Sequence, residues 1–276
     1  MATTIANLGA PAPTGNLLIV DGLNVAFRWK HQNILDYKYD YIRTIESLAK
    51  SYKEGTIIVC ADGGSTYRKN IHPEYKANRK ERYAEQTEQE AKEFEMFMAE
   101  FQDTLTLIKQ KYPVFHFRGV EADDIAAYIT LNFDFDECWL VSSDKDWDLL
   151  INDKVSRFST VTRKETTVHN WDEHYDFEIE DYITFKCLTG DKGDNVPGVP
   201  GVGPKRAVQL MQQYGTVFDI YDACPIDGKY KYIQALNENA EQLLQNVELM
   251  DLVTYSGEAI GEENKEVIHK TLEGIL

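Results

Sequence analysis

The sequence has few cysteines and no long apolar run, and both absences restrict the class of protein. Its four cysteines, Cys60, Cys138, Cys187 and Cys224, are far apart and form no CxxC pair. This spacing excludes a common zinc motif and argues against a disulfide framework, so it favours a reducing cytoplasm. No apolar stretch approaches the roughly 18 residues that span a bilayer, and the N-terminus lacks the basic and apolar segments of a secretory signal. We therefore expect a chain without membrane association that begins with a short disordered tail at residues 1–15.

Basic residues are also scarce relative to acidic ones. The chain has 29 Lys and Arg against 46 Asp and Glu, which gives a formal net charge of −17. Taken alone, this charge argues against binding to nucleic acid, because phosphate contacts rely on Lys and Arg. DNA responds to local potential, however, and carboxylates that bind metal ions are neutralised. The positions of the charges therefore matter more than their sum.

The first half of the chain alternates apolar β-branched runs with helical patterns. Four runs are predicted to be strands, with a weaker fifth after them: Leu17–Val20, Thr56–Cys60, Val114–Phe117, Cys138–Val141 and Arg157–Thr160. Apolar residues at helical spacing predict helices over Tyr41–Tyr52 and Glu121–Leu131. This alternation favours an α/β fold with a mainly parallel, twisted sheet that helices cover on both faces.

Two regions depart from the alternation. Residues 63–112 form a long insertion that is first basic and aromatic and then acidic and amphipathic, and insertions of this kind are usually functional. After about residue 181 the strand pattern fades, and a Gly/Pro-rich loop leads into a helix that Pro204 suits at its start and Gly215 at its end. We therefore predict a core at residues 16–180 and a helical region at residues 181–276.

Acidic residues follow four predicted strands at their carboxyl ends, where ligands bind in open α/β sheets. Seven carboxylates are expected at this edge, and the loop GDKGDN adds two more. The nine residues are Asp21, Asp62, Glu121, Asp123, Asp124, Asp144, Asp146, Asp191 and Asp194. So many like charges would raise one another's pKa unless divalent cations neutralised them, and all-oxygen ligands suit Mg²⁺ or Mn²⁺. Two such ions about 3.5–4 Å apart are usual for displacement at phosphorus, so the sequence predicts a metal-dependent nuclease.

Other interpretations of the acidic motifs fit less well. The segment DKDWD resembles the start of an EF-hand loop, but Leu149 and Val155 stand where that loop needs glycine and glutamate. A phosphatase of the haloacid dehalogenase type would carry a second aspartate two residues after Asp21, where this chain has Leu23. Each acid taken singly also fits a turn or a helix cap. The repetition at four strand ends favours the metal site.

The segment PEYKANRKERY interleaves basic residues with tyrosines. Bases stack on such rings, although a charged run also fits a solvated helix face. Lys76 and Arg79 are three positions apart and share a helix face. We predict that this pair holds a scissile phosphate opposite the metal ions.

The segment GVGPKRA fits the helix-hairpin-helix pattern GhGxxxA. Gly201 and Gly203 allow close approach of the backbone, and N–H groups at the following helix start bind a phosphate without reading sequence. Lys205 and Arg206 add positive charge at the same place. The segment therefore predicts contact with a duplex backbone.

Together these motifs resemble the 5′-nuclease or flap endonuclease family, which includes the N-terminal nuclease domain of bacterial DNA polymerase I and stand-alone enzymes of T-odd coliphages. The matching segments occur in the family's order over roughly residues 16–250: LLIVDGLNVAFRWK, PEYKANR, RGVEADDIAAYI, LVSSDKDWDLL, VSRF and GDKGDNVPGVPGVGPKRA. The resemblance implies a PIN-like nuclease core, a helical arch at about residues 63–112 and a helix-hairpin-helix at about residues 190–215.

The resemblance also implies an activity that the residues alone do not supply. Family members act as flap endonucleases and 5′-3′ exonucleases on 5′ flaps, pseudo-Y junctions and 5′ ends, without sequence specificity. They leave 5′-phosphate and 3′-hydroxyl ends and serve DNA replication and repair. The resemblance further implies two or three Mg²⁺ ions, Mn²⁺ as a substitute, K⁺ at the helix-hairpin-helix, and a monomer in the cytoplasm, that of the host if a phage encodes it.

Residue roles follow from the same motifs. The first metal group would be Asp21, Asp62, Glu121, Asp123 and Asp124, and the second Asp144, Asp146, Asp191 and Asp194. Lys76 and Arg79 match the basic pair at the base of the family's arch and, with Asp21 and Asp146, are the predicted catalytic residues. Tyr75 would stack on a base at the gateway. The predicted DNA contacts are Arg28, Lys30, Arg68, Tyr75, Arg82, Gly201, Gly203, Lys205 and Arg206.

Three alternatives stand beside the nuclease interpretation. A catalytically inactive DNA-junction binder would have lost metal ligands, yet every expected carboxylate is present. A PIN-type ribonuclease would share the acidic sheet but normally lacks the arch and the hairpin motif. A calcium-binding or merely acidic structural protein is disfavoured by the failed EF-hand match. The acidic second half of the arch, Glu85–Asp103, makes its charge mixed, and no sliding-clamp-binding tail is evident.

Overall fold

A six-stranded sheet forms the centre of the computed structural model, which describes residues 15–53 and 55–276, without the side chains of residues 80–83. The predicted tail lies outside the described residues except for Gly15. The strands are β1 (Leu17–Asp21), β2 (Thr56–Ala61), β3 (Val114–His116), β4 (Cys138–Val141), β5 (Val155–Phe158) and β6 (Glu165–Thr166). Their order is β3-β2-β1-β4-β5-β6, with β1 to β5 parallel and β6 antiparallel. The predicted mainly parallel α/β fold is confirmed.

The fifth strand lies two residues earlier than predicted. Val155 is fully buried and pairs with Cys138 of β4. Beyond Phe158 the chain turns, and the Ser159 N–H donates to the carbonyl of Lys164 at 2.9 Å. Of the two strand positions gained at the start, Val155 buries apolar surface, whereas the two positions lost at the end lie in this turn.

One face of the sheet is covered by α1 (Gly22–Lys30), α2 (Lys38–Tyr52) and α5 (Glu88–Ile108). The predicted apolar stripe of the insertion is the buried side of α5, where Phe97, Phe101, Leu105 and Ile108 pack against the sheet. A capping box between Thr87 and Glu90 begins this helix. The acidic half of the insertion therefore packs on one face of the sheet.

The other face is covered by α6 (Ala122–Asn132), α12 (Leu252–Ile260) and α13 (Glu262–Leu272). Leu252, Ile260, Ile268 and Leu272 join the same apolar cluster as residues of β1, β2 and α6. The last two helices of the predicted helical region thus return to the sheet, because α6 presents an apolar side that needs cover.

The remaining helices lie towards the carboxyl edge of the sheet and build a third apolar cluster. They are α3 (Thr66–Ile71), α7 (Tyr182–Thr189), α8 (Pro204–Tyr214), α9 (Val217–Ala223), α10 (Lys231–Glu238) and α11 (Ala240–Met250), whereas α4 (Ala77–Ala84) follows α3 and contributes none of its described side chains to this cluster. A short hairpin of β7 (Gly190–Asp191) and β8 (Val196–Pro197) joins α7 to α8, and 3-10 helices span Lys145–Leu150, Val168–Glu173 and Ile179–Asp181. Pro204 begins α8 and Gly215, at φ +99°, ends it, as predicted. Among the described helices, none has the length and apolarity to cross a membrane.

Asn246 joins three elements of the third cluster. Its side chain is fully buried, and its amide donates to the carbonyls of Cys187 at 2.9 Å and Pro197 at 2.8 Å. We predict that Asn246→Ala lowers the free energy of unfolding by about 2–3 kcal/mol, because it leaves buried carbonyls without donors. Urea denaturation measures the loss. The control is exposed Asn132→Ala, whose expected change is within about 0.5 kcal/mol; equal losses in the two variants would contradict the assignment.

Candidate active site

The carboxyl edge of the sheet carries Asp21 at its centre. Asp21 ends β1 and caps α1, accepting from the Asn24 N–H at 3.2 Å and from Ser142 Oγ at 2.7 Å. Burial raises its pKa from 3.8 to about 8, and the charges of Asp62 and Asp144 add to the increase. A proton, or another cation, must therefore accompany this carboxylate near neutral pH.

Acids from two further strand ends lie beside Asp21. Asp62 follows β2 and accepts from the Ala122 N–H at the start of α6 at 3.0 Å. Asp123, in the first turn of α6, accepts from Trp147 Nε1 at 2.5 Å. Burial raises the pKa of Asp123 well above its ordinary value, and Asp144 and Asp62 raise it further. These acids repel one another, as the strand-end pattern predicts.

The acids after β4 lie at the start of the 3-10 helix Lys145–Leu150, which Asp144 directly precedes. Asp144 caps it by accepting from the Asp146 N–H at 3.0 Å. Burial raises the pKa of Asp146 to about 6, while the ammonium group of Lys186 opposes the rise and Asp144 and Asp191 add to it. Lys186 Nζ donates to Asp146 and, at 3.3 Å, to Asp191. Asp146 and Asp191 thus share one buried cation.

Glu121 and Asp194 are held by the base of the insertion. Lys76 forms ion pairs with Glu121 and, at 3.4 Å, with Asp194, and Arg79 pairs with Asp194 at 2.8 Å. Burial opposes ionisation of both acids, but Lys76 lowers the pKa of each, with help from Arg68 at Glu121 and Arg79 at Asp194. Both acids are therefore negative at neutral pH.

The site as a whole is a set of oxygen donors interleaved with cations. Asp62 and Asp144 are exposed, whereas Asp123, Asp146, Asp191 and Asp194 are half-buried, so solvent reaches the edge. Within residues 15–53 and 55–276, no three acidic, cysteine or histidine side chains converge closely enough to hold an ion as they stand. Lys76, Arg79 and Lys186 contact the carboxylates instead. The all-oxygen donors and the raised pKa values of Asp21, Asp123 and Asp146 fit hard divalent cations.

Comparison with known proteins identifies the family. Residues 16–176 match the 5′-3′ exonuclease N-terminal resolvase-like domain, and residues 177–265 match the 5′-3′ exonuclease C-terminal SAM fold. The chain belongs to the 5′-3′ exonuclease family. The resemblance seen in the sequence motifs is thereby confirmed.

Individual members of the 5′-3′ exonuclease family are similar along most of the chain. The flap endonuclease of Escherichia phage T5 is 46% identical over 266 residues, which covers 95% of this chain and 91% of that protein. DNA polymerase I of Bacillus subtilis is 29% identical over 260 residues, which are 86% of this chain but 28% of the polymerase.

Solved structures of a bacteriophage T5 relative have the same fold. Its flap endonuclease in a complex with DNA and metal ions has a TM-score of 0.90 and 44% identity, covering 94% of this chain and 98% of that one. A form of the T5 5′-exonuclease with divalent zinc ions has a TM-score of 0.88, 45% identity and coverage of 94% and 98%. Related members therefore bind divalent metal ions and DNA on this fold.

The prediction that Arg68 of this 5′-3′ exonuclease contacts DNA is wrong. Its side chain is 3% exposed and donates to both oxygens of Asp124 at 2.7 Å, to Glu121 at 2.7 Å and to the Leu249 carbonyl at 2.7 Å. A buried guanidinium with these partners has no surface for a phosphate. Asp124, at 1% exposure, accepts from Arg68 through both oxygens, and Glu121, at 3%, accepts from Arg68 and Lys76, so these two predicted ligands already pair with cations of the chain.

Tyr75 also differs from its predicted role in stacking on a base. Its ring belongs to the third apolar cluster and is 4% exposed. Its hydroxyl donates to Asp194 at 2.8 Å and lies 3.3 Å from Glu121. Tyr75 lies in the turn between α3 and α4, and the turn directs its ring into the apolar cluster and away from solvent.

The remaining predicted DNA contacts lie at separate places. Gly201, Gly203, Lys205 and Arg206 are exposed together at the start of α8, where Arg206 lies over the Tyr232 ring at 4.7 Å. Arg28 lines a groove of about 630 Å³ that Arg43 and Arg163 also line. Lys30 lines a different hollow of about 490 Å³ with Glu90 and Glu93. The side chain of Arg82 lies outside the described part of the structure.

Lys186 is a site residue that the sequence interpretation missed. It lies in α7, is 6% exposed and contacts two predicted metal ligands, Asp146 and Asp191. One signal was available, because Lys186 is the single charged residue in the otherwise uncharged segment YITFKCLTG that precedes Asp191. A lone lysine in an apolar helix needs a partner, and the nearest acids were those of GDKGDN.

The raised pKa of Asp21 makes a prediction for the metal-free protein. The folded state binds this proton more tightly than the unfolded state, so its stabilising contribution is complete below about pH 4 and is lost as the pH rises towards 8. Asp21→Asn is expected to make the free energy of unfolding fall less steeply over this range. Urea denaturation in EDTA at several pH values tests it, with exposed Asp153→Asn as the control for charge removal. A slope equal to that of the wild type would contradict the assignment.

Proposed function

We propose that this chain is a structure-specific 5′-nuclease, with flap endonuclease and 5′-3′ exonuclease activity, that acts in DNA replication and repair. It hydrolyses phosphodiester bonds of 5′ flaps, pseudo-Y junctions and 5′ ends and leaves 5′-phosphate and 3′-hydroxyl groups. The observation that carries the proposal is the crowding of carboxylates at four parallel strand ends, where burial and like charges raise the pKa of Asp21 and Asp123, in a chain 46% identical to the phage T5 flap endonuclease.

Two groups of carboxylates would hold the metal ions. Asp21, Asp62, Glu121, Asp123 and Asp124 form the first, and Asp144, Asp146, Asp191 and Asp194 form the second; Asp124 would contribute only by leaving Arg68, and Glu121 also pairs with that arginine. When bound, two or three Mg²⁺ ions, or Mn²⁺ in their place, supply an activated water and offset charge that develops on the phosphate. The protein itself would supply the carboxylate oxygens that bind these ions.

Lys76 and Arg79 are the proposed phosphate-binding cations. Both contact carboxylates of the site, so their charge lies at the margin where a scissile phosphate would meet the acids. Burial opposes the charged form of Lys76, but Glu121 and Asp194 keep its pKa above the ordinary value. Lys76 is therefore a permanent cation that can stabilise the more negative transition state.

The exposed start of α8 is the proposed contact with the duplex. Its backbone N–H groups and the side chains of Lys205 and Arg206 would bind phosphates without reading sequence. A K⁺ ion at this hairpin remains a prediction, as do the monomeric state, the cytoplasmic location and a domain division near residue 180. Arg28 and Lys30 are proposed to contact DNA from their separate hollows.

Cleavage of a labelled substrate tests the proposed activity. We predict release of a short 5′ fragment from a 5′-flap duplex in Mg²⁺ or Mn²⁺ and complete loss of cleavage with EDTA, because the carboxylates need a cation. The matched control is the same flap made of RNA. Binding without cleavage in either metal would favour the junction binder, and a preference for RNA would favour the PIN-type ribonuclease.

A variant of Lys76 tests the transition-state role. We expect Lys76→Ala to slow single-turnover cleavage by about 100- to 1,000-fold, because a preorganised charge is lost, while DNA binding changes little. Rates and dissociation constants are measured on the same flap. Exposed Lys69→Ala is the control for loss of one positive charge. Parallel loss of rate and binding in Lys76→Ala would reassign the residue to simple DNA binding.

A further inference from the structure

A buried guanidinium contacts both ends of the segment that carries Asp144 and Asp146. Arg157, on β5, is 5% exposed. Its Nη1 donates to the Ser142 carbonyl at 2.9 Å, and its Nε and Nη2 donate to the two carboxylate oxygens of Asp148, the latter at 2.9 Å. One rigid side chain therefore spans residues 142 and 148.

Asp148 is the third acid of DKDWD but differs from the other two. It is fully buried, and both of its oxygens accept from Arg157, while Oδ2 also accepts from the Tyr175 hydroxyl. Arg157 Nη2 further lies 3.3 Å from Thr166 Oγ1. With its oxygens occupied in this way, Asp148 anchors the segment and is not free to bind a metal ion.

The segment between these two ends joins the two carboxylate groups. Ser142 Oγ donates to Asp21 and accepts from the Asp144 N–H at 3.1 Å. Trp147 Nε1 donates to Asp123. A shift of residues 142 or 148 would therefore move Asp144 and Asp146 relative to Asp21 and Asp123.

We propose that Arg157 and Asp148 are positioning residues that set the spacing of the two carboxylate groups for divalent metal ions. The inference rests on the proposed function. The planar fork of arginine matches a carboxylate with two parallel hydrogen bonds and still has a donor for the Ser142 carbonyl. A lysine has the charge but lacks this fixed geometry. Groups that orient metal ligands in this way typically affect metal affinity by 10- to 100-fold.

Arg157→Lys tests the geometry while it retains the charge. We expect Mn²⁺ to bind the DNA-free protein about tenfold more weakly, as measured by isothermal titration calorimetry at a temperature where circular dichroism shows the variant folded. Tyr175→Phe removes a single donor to Asp148 and should give a smaller change in the same direction. Arg43→Lys is the matched control, because its ion pair with Asp40 is exposed, and it should leave the affinity unchanged.

The outcomes separate a positioning role from a purely structural one. Weaker Mn²⁺ binding in Arg157→Lys and Tyr175→Phe, with Arg43→Lys unchanged, supports the proposal. Lower melting temperatures with Mn²⁺ affinity within twofold of the wild type overturn it. If Arg157→Lys does not fold, Tyr175→Phe decides alone. A wild type that neither binds Mn²⁺ nor cleaves a flap would refute the proposed function itself, whereas a cleaving wild type with unaffected variants would refute only the inference.

Discussion

Mutual repulsion among buried carboxylates is the constraint on which the rest of this structure depends. Asp21, Asp123 and Asp146 have raised pKa values because burial and like charges act together. Buried or half-buried cations at the same edge offset this repulsion: Arg68, Lys76, Arg79 and Lys186. Each of these cations pairs with at least one carboxylate of the edge and offsets part of its negative charge.

The cations also connect parts of the chain that are distant in sequence. The Lys76 N–H donates to the Asp194 carbonyl at 2.8 Å, and Asn78 and Asn195 add hydrogen bonds between the base of the insertion and the GDKGDN loop. Arg68 similarly links α3 to α6 and α11. The base of the insertion and the GDKGDN loop are therefore one structural unit, and a movement of either would change the ion pairs of Asp194.

The parts of the fold that were predictable are those governed by local pattern. Continuous apolar runs identified β1, β2, β3 and β4, and the residues of β1 and β4 and all but the first of β2 are buried, as expected for interior parallel strands. The end of β5 was misplaced because a turn closed by Ser159 overrides local β propensity. Arg68 and Tyr75 differ from their predicted roles for a related reason, since alternation of basic and aromatic residues does not indicate which side chains the tertiary structure buries, in α3 for Arg68 and in the turn before α4 for Tyr75.

The sequence by itself determined that acids would gather at one edge, because parallel strands share a carboxyl end and each strand was followed by acid. It could not determine which of these acids form ion pairs with Lys and Arg side chains of the same chain. Asp124 with Arg68, Asp146 with Lys186 and Asp148 with Arg157 are pairs between different elements. Only the tertiary structure brings these partners within hydrogen-bond distance, and burial then makes each pairing obligatory, because an unpaired charge in the interior is strongly destabilising.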